Sequence, residues 1–345
     1  MRRTIVLLTI ALGLALPAGA SAHGLRWVPV PTGSTQQFRG LDAVDRRTAW
    51  VGGSAGQVLR TTDGGRSWQD VSPPGSAGLL FRDVEAQDGW RASVLAIGPG
   101  DASRIYTTAD GGRRWTLAFV NDDPAAFYDC MAFFPGHRYG LALSDPVGGK
   151  FRIAATADGG RSWRVLPNGG MPPALEGEAG FAASGTCLVT SGHDAWFAGG
   201  GGAVARVFHS RDLGRHWSVT TAPIPATAAG GVFSLAFRNP RDGAMVGGDF
   251  MAPTNGVRAS GFTRDGGGSW RQGGDLSGYR SGVDWVWGAR DELIAVGPTG
   301  SDVSYDGARS WTAFDTTDFD AVDCVPGTCW ASGPNGAVAV LAQHR

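Results

Sequence analysis

Four carboxylates outside the repeated turns lie between positions 129 and 178, in stretches that read as loops. They are Asp129 in NDDPAAFYDC, Asp145 in SDPVGGK, and Glu176 and Glu178 in LPNGGMPPALEGEAG. Two carboxylates facing one glycosidic bond can hydrolyse it, one as general acid and the other as base or nucleophile. Asp249 in GGDFMAPTNGV adds a fifth acid, and Arg39, Arg82 and Arg280 add three guanidinium groups suited to anionic substituents. Two uses of these eight residues stand open. Asp129, Asp145, Glu176 or Glu178 could act on a glycan, or all eight could form the rim of a binding site. Other chemistries lack support. The His residues are scattered, and GGGGAVARV (199–207) precedes a strand where a phosphate loop needs a helix. No metal or cofactor is expected.

Loops so far apart in sequence need a frame to bring them together. The frame is a repeat: Thr61-x-Asp63-x-Gly65-x-Ser67-Trp68 returns around Asp110 and Trp115, Asp158 and Trp163, Asp212 and Trp217, Asp265 and Trp270, and Asp306 and Trp311. The Asp-to-Asp steps are 47, 48, 54, 53 and 41 residues, the length of one four-stranded propeller blade. The Asp can accept hydrogen bonds from its own turn, and Gly supplies the positive φ. The Trp then begins the next strand and buries its ring between sheets. Each copy is therefore expected to pin a strand–turn–strand corner.

This string resembles the Asp-box of the BNR repeat family, S/T-x-D-x-G-x-x-W, found in sialidases and many other propellers. Five of the six copies match throughout; Ala308 departs at the Gly, which predicts a looser turn there. GQVLRTTDGGRSW, preceded by AVDRRTAWVGG, resembles more closely the exported propellers of the photosystem II stability and assembly factor family. That resemblance runs through the repeats over most of the mature chain. It implies a non-catalytic propeller serving another protein as scaffold or assembly factor. The sialidase resemblance implies the alternative, a glycan-active enzyme or glycan-binding propeller, with Tyr128 or Tyr279 beside Glu176 as nucleophile pair. Beyond FRG and FRD, however, no segment resembles the arginine-bearing stretches of sialidases, whose propellers have six blades.

Six boxes do not mean six blades. An apolar strand pair precedes each box, and a seventh, FDAVDCVPGTCWASGPNGAVAVL, ends without one. LRWVPVP (25–31), with Trp27 in the Trp place, can supply its outer strand beside 336–341 and leave no open edge. The expected fold is all-β: a seven-bladed β-propeller over 23–345, its last blade closed by the N-terminal strand.

With the boxes as third-to-fourth-strand turns, the second-to-third-strand loops and the blade-to-blade connections share the opposite face. The segments 164–187, 144–150 and 248–257 stand out there by length and acidity, so function is placed on that face. Taking Leu41, Val84, Met131, Leu188, Leu235, Val283 and Val322 as equivalent, the position two before reads Arg39, Arg82, Asp129, Thr186, Phe233, Ser281 and Asp320. Arg280 is adjacent. These charges either line a pocket at the tunnel mouth or pair with one another across blades.

Residues 1–22 read as a secretory signal: Arg2 and Arg3, an apolar run from Ile5 to Leu16, and Ala20-Ser21-Ala22 before the cut. Its removal leaves 323 residues and takes the formal charge from −1 to −3, so no basic footprint points to nucleic acid. No stretch is long and apolar enough to cross a bilayer as a helix. A periplasmic or secreted monomer is expected, with another protein or a glycan as partner. Four Cys suit an oxidising compartment. Cys324 and Cys329 flank a Pro-Gly turn and are expected to pair, whereas Cys130 and Cys187 are expected to remain buried thiols.

Overall fold

The computed structural model describes residues 24–343; the signal read at 1–22 lies outside them. Seven antiparallel four-stranded sheets make up the molecule. Blade 1 runs outward as Phe38–Ala43, Ala49–Gly53, Val58–Thr61 and Gln69–Asp70. The first strands of the next six blades are Leu80–Ala86, Tyr128–Phe133, Leu188–Ser191, Gly230–Phe237, Gly282–Trp285 and Ala321–Val325. Each of these touches the next, and the seventh touches the first, which makes them the inner wall of a closed ring.

The ring closes through the N-terminus. Leu25–Pro29 pairs antiparallel with Val338–Gln343 in the register Leu25↔Gln343 to Pro29↔Ala339. Trp27 is the anchor: it is buried, meets Phe319 edge-on at 5.3 Å, and donates from Nε1 to Ser301 Oγ of blade 6 at 2.9 Å. The seventh blade thus needs both ends of the chain, and its outer edge is paired.

The six boxes sit between third and fourth strands. In the first, Thr61 Oγ1 donates to Asp63 Oδ1 at 2.9 Å and accepts from Gly65 N at 3.0 Å, while Ser67 donates to Asp63 from both N and Oγ. These donors, led by the Ser67 hydroxyl, hold the Asp63 carboxyl down at about 2. The Ala308 turn is not looser. Ala308 adopts φ 70° and donates to Ser304 Oγ at 2.9 Å, as glycine does elsewhere. Burial of its methyl group against Phe262 and Trp285 offsets the ~1–2 kcal/mol that a left-handed alanine costs.

Apolar cores fill the interfaces between blades. Opposite the inner strand, one second-strand position recurs as Trp50, Trp196 and Trp330, all fully buried. Each indole N–H crosses to the next blade, to the carbonyls of Asp88, Gly266 and Asp45. Inner strands are also tied to one another. Leu235 N donates to Thr186 O at 3.0 Å, and Val283 N to Ser234 Oγ at 3.0 Å.

This closeness corrects one expectation. Cys130 and Cys187 are not free thiols but form a disulfide between the inner walls of blades 3 and 4, with Cα atoms 6.1 Å apart. Both stand one residue before the aligned position of their strand, and equivalent positions of adjacent strands converge toward the axis. A second disulfide joins Cys324 to Cys329, which face each other across a hairpin.

Candidate functional site

Gly64 N bonds to Arg47 O, which puts the boxes and the first hairpin turns on one face. Gly56 N bonds to Leu79 O, which puts the remaining loops on the other. On that second face four inner strands carry a β-bulge at the same place. The register slips between Phe38 and Gly40, Phe81 and Asp83, Tyr128 and Cys130, and Val232 and Ser234. The extra residues are Arg39, Arg82, Asp129 and Phe233. A bulge re-aims its side chain out of the pleat, for Arg39, Arg82 and Phe233 toward the mouth of the central channel.

Arg39 and Arg82 stand together at the mouth. Arg39 pairs with Asp320 at 3.5 Å, and Gln37 Nε2 donates to the other Asp320 oxygen at 2.9 Å. Arg82 donates to Ala182 O at 2.9 Å; burial and then the Arg39 charge bring its pKa down to about 10. Beside them Asp318 is pushed up to about 6 by burial and then by Asp320. Across the mouth rises an aromatic ladder that the sequence reading missed. Phe181 stacks on Phe233 at 4.0 Å, and Phe233 meets Tyr279 at 4.8 Å and Phe250 at 6.2 Å, both edge-on. Phe250 and its neighbour Met251 are exposed.

The five candidate acids do not face one common space. Asp129 is buried and lies beside Asp145, which accepts from Gly180 N at 2.8 Å. Burial, then the Asp145 charge, raises Asp129 well above the carboxylate range, and burial takes Asp145 up to about 6. Gly180 seals the pair: a Cβ there would come within 2.9 Å of Asp129 Oδ2. Glu178 is turned away, its buried carboxylate bound by Arg206 and by Leu175 N. Glu176 is exposed on the same insertion. Asp249 accepts from Thr227 Oγ1 at 2.7 Å and from Met251 N at 2.9 Å, organising its own loop. Arg280 is not at the mouth either. It is fully buried, bound to Asp302 at 2.7 Å and to Ser277 and Thr299, because it precedes the bulge-equivalent position and faces the sheet interior.

Below the mouth the channel, about 270 Å³, is acidic. Asp42, Glu85, Asp284 and Asp323 line it, each one residue after the aligned inner-strand position. Their signal in the sequence is that this offset is acidic in four of seven blades. Among the described residues no group of three or more His, Cys, Asp or Glu side chains is arranged to hold a metal ion.

No family model matches the chain. The photosystem II assembly lipoprotein Ycf48 of Synechococcus sp. (strain CC9902) is 27% identical over 131 residues, covering 34% of this chain and 35% of that protein. The chain therefore spans about a third of the length of the curated relative it matches. Its fold is similar to that of YCF48 bound to D1 peptide (TM-score 0.62, 14% identity, 95% of this chain and 100% of the other). It is also similar to YCF48 from Cyanidioschyzon merolae (0.60, 15%, 92% and 98%) and to the Neurospora crassa Pan2 WD40 domain (0.63, 12%, 95% and 98%).

Proposed function

We propose that this chain is an exported, non-catalytic propeller that holds a segment of another polypeptide at the channel mouth, as a scaffold or assembly factor. The carrying observation is the set of bulged inner strands, which aim Arg39 and Arg82 at one side of the mouth and Phe233 at the other. That pairing suits an extended segment presenting an apolar side chain to the Phe181–Phe233–Phe250 ladder and an acidic or C-terminal carboxylate to the arginines. The partial likeness to a photosystem II assembly lipoprotein supports the reading, as does the fold shared with a YCF48 that has a peptide bound. The sealing of Asp129 and the pairing of Glu178 with Arg206 speak against a glycosidase site. Two disulfides support an oxidising compartment.

The test is a peptide library and a glycan array probed with the same purified protein. Selected peptides should lose roughly tenfold or more in affinity on joint Arg39→Ala and Arg82→Ala substitution, with their melting profile retained. Glycan hits without peptide hits would overturn the proposal.

A further inference from the structure

A cavity lies on the opposite face, between blades 2 and 3. It measures about 590 Å³ and is floored by Ser93, with Phe133, His137 and Gly159 on the blade 3 side. Its cause can be read by comparing blades. Ser93 pairs with Glu85 as Trp50 pairs with Asp42 and Trp330 with Asp323, so it occupies the bridging-tryptophan position.

The interface between blades 4 and 5 shows how a ring fits this setting. Trp196 there is the middle of a three-ring stack, on His209 at 4.7 Å and on Phe237 at 3.8 Å, and its Nε1 donates to Gly266 O at 2.9 Å. The box Trp270 closes the far side of Phe237, edge-on at 5.9 Å. Blade 3 repeats the outer half of that arrangement. Phe133 is the counterpart of Phe237, Trp163 meets it edge-on at 5.7 Å, and Gly159 is the counterpart of Gly266. Thr107 takes the place of His209, and its hydroxyl lies 3.3 Å from that of Ser93. Two of the three stacked rings are thus replaced, the middle one by Ser93 and an outer one by Thr107. In blade 5 the same register holds the small Ala244, but there Trp285 of blade 6 covers it, donating from Nε1 to Ala236 O. Over Ser93 the counterpart of Trp285 is Phe133, whose Cζ and the Ser93 hydroxyl both lie within 3.0 Å of where a Cβ on Gly160 would stand.

We propose that this cleft binds an indole-sized planar aromatic ring, stacked on Phe133 with its N–H directed to the carbonyl wall of the blade 3 box. The volume is in the range of small-molecule sites, ~300–1,000 Å³. Two sources share this chemistry: a free indolic compound, or a tryptophan side chain offered by a polypeptide. The site is separate from the channel mouth and does not depend on what binds there.

Fluorine NMR of 5-fluoroindole tests the site, and competition by a short Gly-rich peptide amide with one central tryptophan distinguishes the sources. Saturable broadening is expected with the native protein, and displacement by the peptide at lower concentration than free indole would assign the site to a tryptophan side chain. Ser93→Trp should restore the internal stack, raise the melting temperature and reduce affinity by at least about tenfold. Ser93→Leu, the residue type that Leu141 supplies at the equivalent place in blade 3, serves as a second block if the tryptophan variant fails to fold. The joint Arg39 and Arg82 variant should bind the probe unchanged. Absence of saturable binding, or unchanged binding in a folded Ser93 variant, would overturn the proposal.

Discussion

Asp323 of blade 7 accepts a 2.6 Å hydrogen bond from the backbone N–H of Ala43 in blade 1, across the seam where the ring closes. The same link recurs around that half of the channel. Asp284 takes Cys324 N at 2.8 Å, Asp42 takes Ala86 N at 2.5 Å, and Glu85 takes Phe133 N at 3.2 Å. Four carboxylates thus tie five consecutive inner strands, from blade 6 to blade 3, through backbone donors.

These carboxylates set a pH dependence. They line the narrow channel, and burial followed by the neighbouring Asp323 charge pushes Asp284 up to about 8. Burial takes Asp323 up to about 6 and raises Asp42 and Glu85 well above their ordinary values. The folded state therefore binds more protons than the unfolded chain. The stability they supply is fully present below ~4, their unfolded range, and falls as pH rises through about 6 and about 8. Thermal melts should give a higher midpoint near pH ~5 than near ~8.5. Asp284→Asn should flatten the upper part of that decline, and a native midpoint rising over the same range would contradict the protonated channel.

The Asp-boxes could be read from sequence because each is a complete local instruction: Thr, Asp, Gly and Trp define one turn without help from elsewhere. The closing strand was legible because Trp27 stands in a recurring context. Arg39, Arg82 and Asp320 emerged from aligning the repeats. The rest depends on partners that no repeat specifies. Glu178 meets Arg206 from 28 residues away, and Phe233 finds Phe181 through an insertion with no counterpart in other blades. Cys130 and Cys187 fall at one repeat offset, but pairing them requires knowing how near adjacent inner strands pass. Ser93 becomes informative only once its register opposite Glu85 is known.

The Glu178–Arg206 pair separates a structural acid from a catalytic one. The Glu178 carboxylate has no exposed area and Arg206 retains 12%. Glu178→Gln removes the charge that compensates Arg206 and should cost ~3–5 kcal/mol, as for other broken buried pairs. It should also loosen 171–180, where both Leu175 N and Pro173 O depend on the pair. Denaturant melts and limited proteolysis check this. A catalytic acid would behave in the opposite way, keeping full stability while turnover was lost.

The two disulfides should contribute unequally. Cys130–Cys187 closes a chain separation of 57 residues and Cys324–Cys329 one of 5. Loop-closure entropy assigns ~4 kcal/mol to the first and ~2 kcal/mol to the second. Paired Cys→Ala variants, melted beside the oxidised protein, should therefore rank with 130/187 the more damaging. Non-reducing peptide mapping should recover both bridges, and a free thiol at Cys130 would refute the inner-wall link.

The last expectation concerns what the repeated tryptophans and aspartates each hold. Trp196 is fully buried and stacked on both faces, so Trp196→Ala removes a whole ring from the interface of blades 4 and 5 and should cost ~3–5 kcal/mol. Trp163 is only half-buried at the rim, with one edge-on partner, Phe133, and its alanine variant should cost about 2 kcal/mol. Asp158 organises Thr156 and Ser162 within its own exposed turn, where water can replace the lost acceptor; Asp158→Ala should cost about 1 kcal/mol. Equilibrium denaturation of the three variants measures the order directly. If Asp158→Ala proved as damaging as Trp196→Ala, the polar turns rather than the rings between blades would be holding the propeller together.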